Sequence, residues 1–154
     1  MLRFDIPNIC GNTYRMNAFW VMTTMVAMFF MPMPVGLAML ALLAFESFVR
    51  GFINPHKGVF YNFNNKVCRS MGIKEVRMNA GSKMFTDKLV FIASLVIFGL
   101  YTANSFGFVN TMWQIPTIMM GIASAVDTLI GFCVACWSYG LFYKVRDKMR
   151  MAAA

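Results

Sequence analysis

The four cysteines are the residues of this sequence best suited to chemistry, and two of them lie three apart. Cys133 and Cys136 form a Cys-x-x-Cys pattern inside a stretch that we predict to be helical. Cysteines three apart on a helix share a face, so the pair could close reversibly to a disulfide, carry a sulfane sulfur or supply two thiolates to a metal. The alternative is that cysteine serves here as a small apolar residue of a membrane helix.

The other two cysteines, Cys10 and Cys68, fall in segments that we predict to lie on the same, reducing side of a membrane. A permanent disulfide framework is therefore not expected, and both residues are candidate resolving thiols. A zinc or copper(I) site built from the four cysteines and His56 has suitable ligand chemistry. Because the spacing does not require such a site, we predict neither a metal nor a cofactor.

Asp127 is the second candidate for chemistry. It falls about 11 residues past Pro116, near mid-membrane at a rise of roughly 1.5 Å per residue, and no basic residue is expected at that depth. A carboxyl group there must be protonated, bonded to a hydroxyl such as that of Thr23, Thr24 or Ser94, or line a polar cavity. Both proton handling and a purely structural role fit this position.

Two further carboxylates have simpler interpretations. Glu46 precedes Arg50 by one helical turn in the favourable i, i+4 order, which predicts a structural ion pair near a membrane interface. Asp87 is adjacent to Lys88 at the very start of a predicted helix, and we set it aside.

The elements that position these residues must belong to a membrane protein. The 154 residues are 59% hydrophobic and only 13% charged, whereas a soluble domain is about 45–50% apolar and about 25% charged. This composition excludes both a soluble globular domain and a disordered chain.

Two long apolar stretches are each interrupted once, the first by Pro32 and Pro34 and the second between Gly107 and Pro116. We therefore predict an all-α integral membrane protein, a single domain over residues 1–154, with four transmembrane helices in two antiparallel hairpins. The predicted spans are approximately 15–31, 34–52, 85–106 and 115–143, and a central loop covers 53–84.

The basic residues indicate the orientation. All 14 lysines and arginines fall in or beside the N-terminal segment, the central loop and the C-terminal segment, and neither hairpin turn carries one. The positive-inside rule then places both termini and the central loop in the cytoplasm of a multi-pass bacterial inner membrane protein. The net charge of +8 is explained by topology and by anionic lipid, so nucleic acid is not an expected partner. A cleavable signal peptide is not expected, because Asp5 and Pro7 interrupt the N-terminal segment.

The central loop contains an amphipathic pattern. Phe60, Phe63, Val67 and Met71 fall on one face of a helix, and polar residues fall on the other. This predicts a helix lying on the membrane surface, bounded by Asn54-Pro55 and by Gly72 at its two ends.

Five short segments together are similar to a known family. They are Asp5-Ile6-Pro7, Arg15-Met16-Asn17-Ala18, Phe48-Val49-Arg50-Gly51-Phe52, Gly81-Ser82-Lys83-Met84-Phe85 and Gly131-Phe132-Cys133-Val134-Ala135-Cys136. They resemble the small bacterial membrane proteins of domain of unknown function 4395, with a similarity that spans residues from about 4 to 143. The resemblance implies a four-helix protein that often ends in Cys-x-x-Cys, here Cys133 and Cys136, and that has thioredoxin-like or sulfurtransferase proteins as candidate partners. It implies no activity, and the Gly81–Thr86 segment departs from the Pro-Lys-Arg-Phe-Ala-like segment frequent in the family.

These features favour thiol-redox or sulfur handling at the cytoplasmic face. In this hypothesis Cys133 and Cys136 form the working dithiol, Cys68 or Cys10 resolves it, and Asp127 handles a proton or is structural. One alternative is a non-catalytic accessory subunit of a larger membrane complex. Another is a small oligomeric transporter, for which small residues spaced by four, such as Gly121 and Ala125, permit close helix packing.

Overall fold

A computed structural model describes residues 8–73, 77–106, 111–133 and 136–138. Within these ranges the chain is mainly helical, and a single antiparallel pairing joins two three-residue strands, with Ile9 opposite Met78. The elements are β1 (Asn8–Cys10), α1 (Gly11–Phe30), α2 (Met33–Phe48), a π-helical turn (Val49–Ile53), a 3-10 turn (Pro55–Lys57), α3 (Val59–Ser70), β2 (Arg77–Asn79), α4 (Ala80–Ser105) and α5 (Gln114–Leu129).

Prolines separate the first two helices, as predicted. Met31 and Pro32 have extended backbones, so α1 ends at Phe30 and α2 begins at Met33, with Pro34 in its first turn. A proline is tolerated there because the first amide groups of a helix have no partner within the helix.

The end of α2 widens into the π-helical turn, in which the amide of Asn54 donates to the carbonyl of Val49. Gly51 lies in this turn, and a Cβ atom there would meet the backbone nitrogen of Lys88 at 3.1 Å. Glycine therefore allows the turn to approach α4 closely.

The helix predicted in the central loop is present as α3. It ends where Gly72 takes a left-handed backbone with φ of 66°. Its buried face differs from the predicted apolar face, because Tyr61, Asn64 and Cys68 are the residues packed against α1, whereas Phe63 is exposed. Asn64 accounts for this difference: its amide donates to Asn17 of α1 at 2.7 Å, which satisfies polar groups on both helices.

The prediction that the fourth helix runs through 115–143 is wrong in the described part. α5 ends at Leu129, and Gly131 has a left-handed backbone with φ of 73°. The amide of Gly131 donates to the carbonyl of Asp127, which closes the last turn. Apolar residues continue past this end, so the hydrophobic pattern did not indicate it. The predicted remainder, 134–135 and 139–143, lies outside the described residues.

The long helices pack in two pairs. α1 packs chiefly on α5 and α2 on α4, whereas α4 and α5 contact each other little, so the second predicted hairpin is not the main helix pair of the fold. Gly121 of α5 lies against Met25 of α1, as expected for close packing through small residues. The core between the helices comprises Val21, Met25, Met28, Leu40, Leu43, Ile97, Tyr101 and Trp113.

Contacts at both ends of the bundle define the helix directions. At one end, Tyr14 near the start of α1 and Asp87 near the start of α4 meet Arg50, which follows α2. At the other end, Tyr101 near the end of α4 packs on Trp113, which precedes α5, with ring centroids 4.8 Å apart. We call the end that carries Arg50 the basic end.

Two helical stretches, Met33–Ile53 and Ala80–Asn104, are long and apolar enough to cross a membrane. α5 has 16 residues, fewer than the roughly 20 that a single span needs. The four predicted spans therefore stay a prediction, while the helical class and two helices of membrane-spanning length are features of the structure.

Candidate functional site

We predicted that the cysteine pair lies within a continuous helix. In the structure the pair lies instead at the start of a new helical turn. Cys133 follows Gly131 in non-helical backbone, and residues 136–138 are helical. The amide of Cys136 donates to the sulfur of Cys133 at 3.4 Å, and the amide of Trp137 donates to the Cys133 carbonyl at 3.0 Å. The sulfur of Cys133 thus occupies the place that a capping oxygen takes at a helix start.

Gly131 sets the direction of this turn. Besides its left-handed backbone, it lies so close under the guanidinium group of Arg15 that a Cβ atom would overlap with it. A side chain at this position would be strained and would also displace Arg15. The turn that carries Cys133 and Cys136, which we call the cysteine turn, therefore packs against the first turns of α1.

Thr86 of α4 connects the two sulfurs. Its hydroxyl oxygen lies 3.5 Å from the sulfur of Cys133 and 3.7 Å from that of Cys136. The same hydroxyl also lies 3.1 Å from the carbonyl of Ser82, one turn earlier in α4, which accepts its proton when the Cys133 sulfur does not. Both thiols are thus held beside one fixed polar group.

The two thiols differ strongly in acidity. The hydrogen bond from the Cys136 thiol, together with the Thr86 hydroxyl and the nearby Lys83 ammonium group, lowers the pKa of Cys133 to about 6. Its hydrogen bond to Cys133, together with burial, raises the pKa of Cys136. One thiolate and one thiol at neutral pH is the state that a reactive dithiol requires, because the thiolate is the nucleophile.

The prediction that Asp127 has no basic residue near it is wrong. The carboxylate of Asp127 lies 3.3 Å from the ammonium nitrogen of Lys83, and both side chains are largely buried. The reason is the early end of α5, which places Asp127 in the last turn of that helix, level with the first turns of α4. The hydroxyls of Thr23 and Thr24 instead donate to the carbonyls of Phe19 and Trp20 within α1.

A second buried ion pair also lies close to Tyr14. Arg50 approaches Asp87 at 3.0 Å, and the hydroxyl of Tyr14 donates to the same carboxylate at 3.2 Å. The Tyr14 ring is also close to both cations: its centroid lies 5.7 Å from the Arg50 guanidinium carbon and 5.9 Å from the Lys83 nitrogen. Tyr14 therefore lies close to the cations of both buried ion pairs.

The predicted pairing of Glu46 with Arg50 is present but long, at 3.8 Å. The main partners of Glu46 are the amides of Val59 and Phe60, at 3.0 and 3.1 Å, so this carboxylate caps the start of α3. Gly58 makes room for it, since a Cβ atom at Gly58 would overlap with the Glu46 carboxylate.

A cavity of about 490 Å³ extends from the cysteine turn along α5. Its lining spans Asp127 to Pro116, a distance of about 16 Å at the rise of an α-helix. Exposed residues of α4 and α5, Leu89 and Met119, form part of the wall, so the cavity opens sideways between these helices. The lining residues are Tyr14, Asn17, Ala18, Val21, Arg50, Lys83, Thr86, Asp87, Leu89, Val90, Ala93, Pro116, Met119, Met120, Ala123, Ser124, Asp127, Cys133 and Ser138.

The remaining predicted site residues lie elsewhere. Cys68 is buried on α3, where its sulfur contacts that of Met16 at 3.4 Å, and Cys10 is the last residue of β1. His56 lies in the 3-10 turn with its ring against Tyr61. In the described ranges, no three His, Cys, Asp or Glu residues come together as metal ligands, so the competing metal site is not assembled there.

The sequence reasoning missed Lys83, Thr86 and Asp87. Lys83 counted only as a topology signal, although it and Asp87 are four residues apart and therefore share a helix face. That spacing was the one available signal that the start of α4 carries paired charges into the protein interior.

We compared the chain with known protein families, curated proteins and solved structures, and one family matches it. No curated protein and no solved structure matches the chain. The family described as domain of unknown function 4395 matches residues 11–144, which cover both the helical bundle and the cysteine turn. This agrees with the resemblance seen in the short sequence segments, and the chain belongs to the domain of unknown function 4395 family.

Proposed function

We propose that this protein is a thiol-redox protein of the bacterial inner membrane, and that Cys133 and Cys136 are its working dithiol. The observation that carries the proposal is the geometry of the pair. The Cys136 amide donates to the Cys133 sulfur, both sulfurs lie beside the Thr86 hydroxyl, and Cys133 and Thr86 line a cavity.

The difference in acidity supports the same function. Hydrogen bonding from Cys136 lowers the pKa of Cys133 to about 6, so most of this thiol is ionised at pH 7. A thiolate next to a protonated thiol can attack a disulfide or another electrophilic sulfur, and its neighbour can then displace the product. Cysteines that act only as small apolar residues do not need this arrangement.

The apolar exterior supports a membrane location with four crossings. Large apolar side chains on several helices are exposed, among them Leu42 and Phe45 on α2 and Ile122 on α5. In water such a surface would drive aggregation, whereas lipid accommodates it. The clustering of Arg50 and Lys83 at one end supports the proposal that the basic end, and with it the cysteine turn, faces the cytoplasm.

Thiol trapping on the full-length protein tests the function. The protein in its native membranes is quenched with acid before and after a mild oxidant or thiosulfate, alkylated, and analysed by mass spectrometry. We expect a reversible disulfide between Cys133 and Cys136 after the oxidant. A persulfide on Cys133 after thiosulfate would instead assign sulfur transfer to the same dithiol.

Single substitutions provide the control. Cys133→Ser should abolish the disulfide, and Cys68→Ser should leave it unchanged, because Cys68 lies against Met16. If all four cysteines stay reduced and unmodified in every condition, the protein is not a thiol-redox protein. An accessory subunit of a larger complex is then the better description, and stoichiometric co-purification with its partners would identify it.

A further inference from the structure

The cavity beside the cysteine turn has two chemically different parts. Along most of its length the walls are apolar, formed by residues such as Val90, Ala93 and Met120. At its basic end it meets Lys83 and the Cys133 sulfur. An occupant that fits both parts has an apolar body and a polar, reactive head, and the volume of about 490 Å³ lies within the range of small-molecule sites.

Three buried hydrogen-bond donors on residues of the cavity wall lack partners. The side-chain amide nitrogen of Asn17 and the Nε and Nη1 atoms of Arg50 are buried without a hydrogen bond within the described part of the chain. Both residues line the cavity. Buried donors are nearly always paired in folded proteins, so an unpaired set in a cavity wall indicates an acceptor that the protein binds there.

The neighbouring dithiol indicates that the molecule that accepts these hydrogen bonds is also an oxidant. Closing two thiols to a disulfide releases two electrons and two protons, which an oxidant must take up. An oxidant inside this cavity must also be apolar enough to leave lipid for the space between α4 and α5, and it must offer oxygen atoms to the Asn17 and Arg50 donors. Lipid-soluble quinones combine all of these properties: two carbonyl oxygens, two-electron reduction and an apolar side chain.

We propose that the cavity between α1, α4 and α5 is a quinone site, in which a lipid-soluble benzoquinone or naphthoquinone oxidises the Cys133–Cys136 dithiol. This inference rests on the proposed thiol-redox function and names its electron acceptor. The quinone ring lies at the basic end within reach of Cys133, and the side chain follows the apolar walls along α5.

The reaction balances without a further reagent. The Cys133 thiolate uses a sulfur electron pair to form a bond to a ring carbon of the quinone. The ring thereby gains two electrons, which lie on a quinone oxygen. Cys136 loses its proton and its sulfur attacks the Cys133 sulfur, so that the sulfur–sulfur bond forms and the sulfur–carbon bond breaks. The electron pair stays on the ring as hydroquinone anion, and the two protons that the thiols have lost complete the hydroquinone. Each sulfur is oxidised by one electron, and the quinone is reduced by two.

The test uses the reduced full-length protein in phosphatidylethanolamine–phosphatidylglycerol nanodiscs. Decylubiquinone and menadione are the probes, and the water-soluble oxidant diamide is the reference. Quinone reduction is followed by ultraviolet absorbance, and the Cys133–Cys136 disulfide by mass spectrometry. We expect at least one of the quinones to be reduced in step with disulfide formation.

Cavity-filling variants identify the site. Ala93→Phe and the smaller change Ala123→Leu place bulk into the cavity, and we expect each to slow oxidation by quinone about tenfold or more, which corresponds to 1.4 kcal/mol. Oxidation by diamide should stay at the wild-type rate in both. Ala41→Phe is the matched control, because Ala41 is exposed on α2 and does not line the cavity.

Each other outcome has a distinct meaning. If diamide forms the disulfide but neither quinone does, or if both cavity variants react with quinone as the wild type does, the quinone site is wrong and the thiol-redox function stands. A cavity that takes up only acyl chains would give this result. If neither diamide nor quinone forms the Cys133–Cys136 disulfide, the proposed function fails together with the quinone site.

Discussion

The two buried ion pairs at the basic end have the same chemistry and different surroundings. Arg50 and Asp87 approach to 3.0 Å, with side chains only 3% and 5% exposed, and Tyr14 donates a further hydrogen bond to Asp87. Lys83 and Asp127 approach to 3.3 Å, and the Asp127 side chain is 12% exposed at the cavity that also contains Cys133.

This difference separates a structural pair from a pair that tunes chemistry. The Arg50–Asp87 pair ties the end of α2 to α4 and to α1, so its charges cannot be lost without loosening three elements. The Lys83–Asp127 pair joins only α4 and α5 and places one charge of each sign next to a thiol. Both pairs border the same cavity, but the Arg50–Asp87 pair joins three elements of the fold, whereas the Lys83–Asp127 pair acts on the acidity of the Cys133 thiol.

The largest effect should come from the structural pair. Arg50→Ala leaves Asp87 buried without its cation, which typically costs about 3–5 kcal/mol. We expect the free energy of unfolding, measured by titration with sodium dodecyl sulfate in mixed micelles, to fall by that amount.

Two companion variants make this prediction specific. Lys66→Ala removes a cation from the exposed surface of α3 and should change stability by less than about 0.5 kcal/mol. Arg50→Met combined with Asp87→Leu should recover part of the loss, because no charge is left unpaired. An Arg50→Ala variant as stable as the wild type would remove the distinction between the two pairs.

Substitutions of the two members of the Lys83–Asp127 pair should change the pKa of Cys133 in opposite directions. Positive charge on Lys83 lowers the pKa of Cys133 and negative charge on Asp127 raises it. Lys83→Met should therefore raise the pKa of Cys133 by about 1 unit and slow its alkylation at pH 7, whereas Asp127→Asn should lower that pKa. The measurement is the rate of iodoacetamide labelling of Cys133 between pH 4 and pH 9, resolved by mass spectrometry.

The sign of the response decides this prediction. In the wild type the labelling rate should rise through a midpoint near pH 6, where Cys133 ionises. Shifts of the same sign in both variants would mean that Lys83 and Asp127 act on the thiol through a change of structure and not through their charges.

A further effect on the pKa of Cys133, in the same direction as the effect of Lys83→Met, should come from removing the Thr86 hydroxyl. Thr86→Val keeps the shape of the side chain and removes the hydroxyl that helps to lower the pKa of Cys133. A single hydrogen bond is worth about 0.5–1.5 kcal/mol, so we expect this pKa to rise by less than about 1 unit. Thr86→Ser retains the hydroxyl and should restore the labelling profile of the wild type.

The sequence was informative wherever a single residue fixed the backbone. Pro32 and Gly72 end their segments at the predicted places, and the cysteine pair attracted attention by its spacing alone. These features are local, so the sequence next to them is enough to predict them.

The site itself depends on contacts between distant segments. Lys83 meets Asp127, and Arg50 meets Asp87, only because of where α5 ends and where α2 widens into the π-helical turn. Hydrophobicity continues through the end of α5, so apolar periodicity alone extended that helix, left Asp127 without its basic partner and placed the cysteines within a continuous helix.

The sideways opening between α4 and α5 determines how a ligand is supplied. Leu89 and Met119 at this opening are exposed on the apolar exterior, so in the proposed membrane location a molecule dissolved in the bilayer would reach the cavity by diffusion in two dimensions. Its local concentration is then its aqueous concentration multiplied by its partition coefficient. Potency measured against aqueous concentration should therefore rank a series of ligands by lipophilicity, even where their contacts inside the cavity are the same.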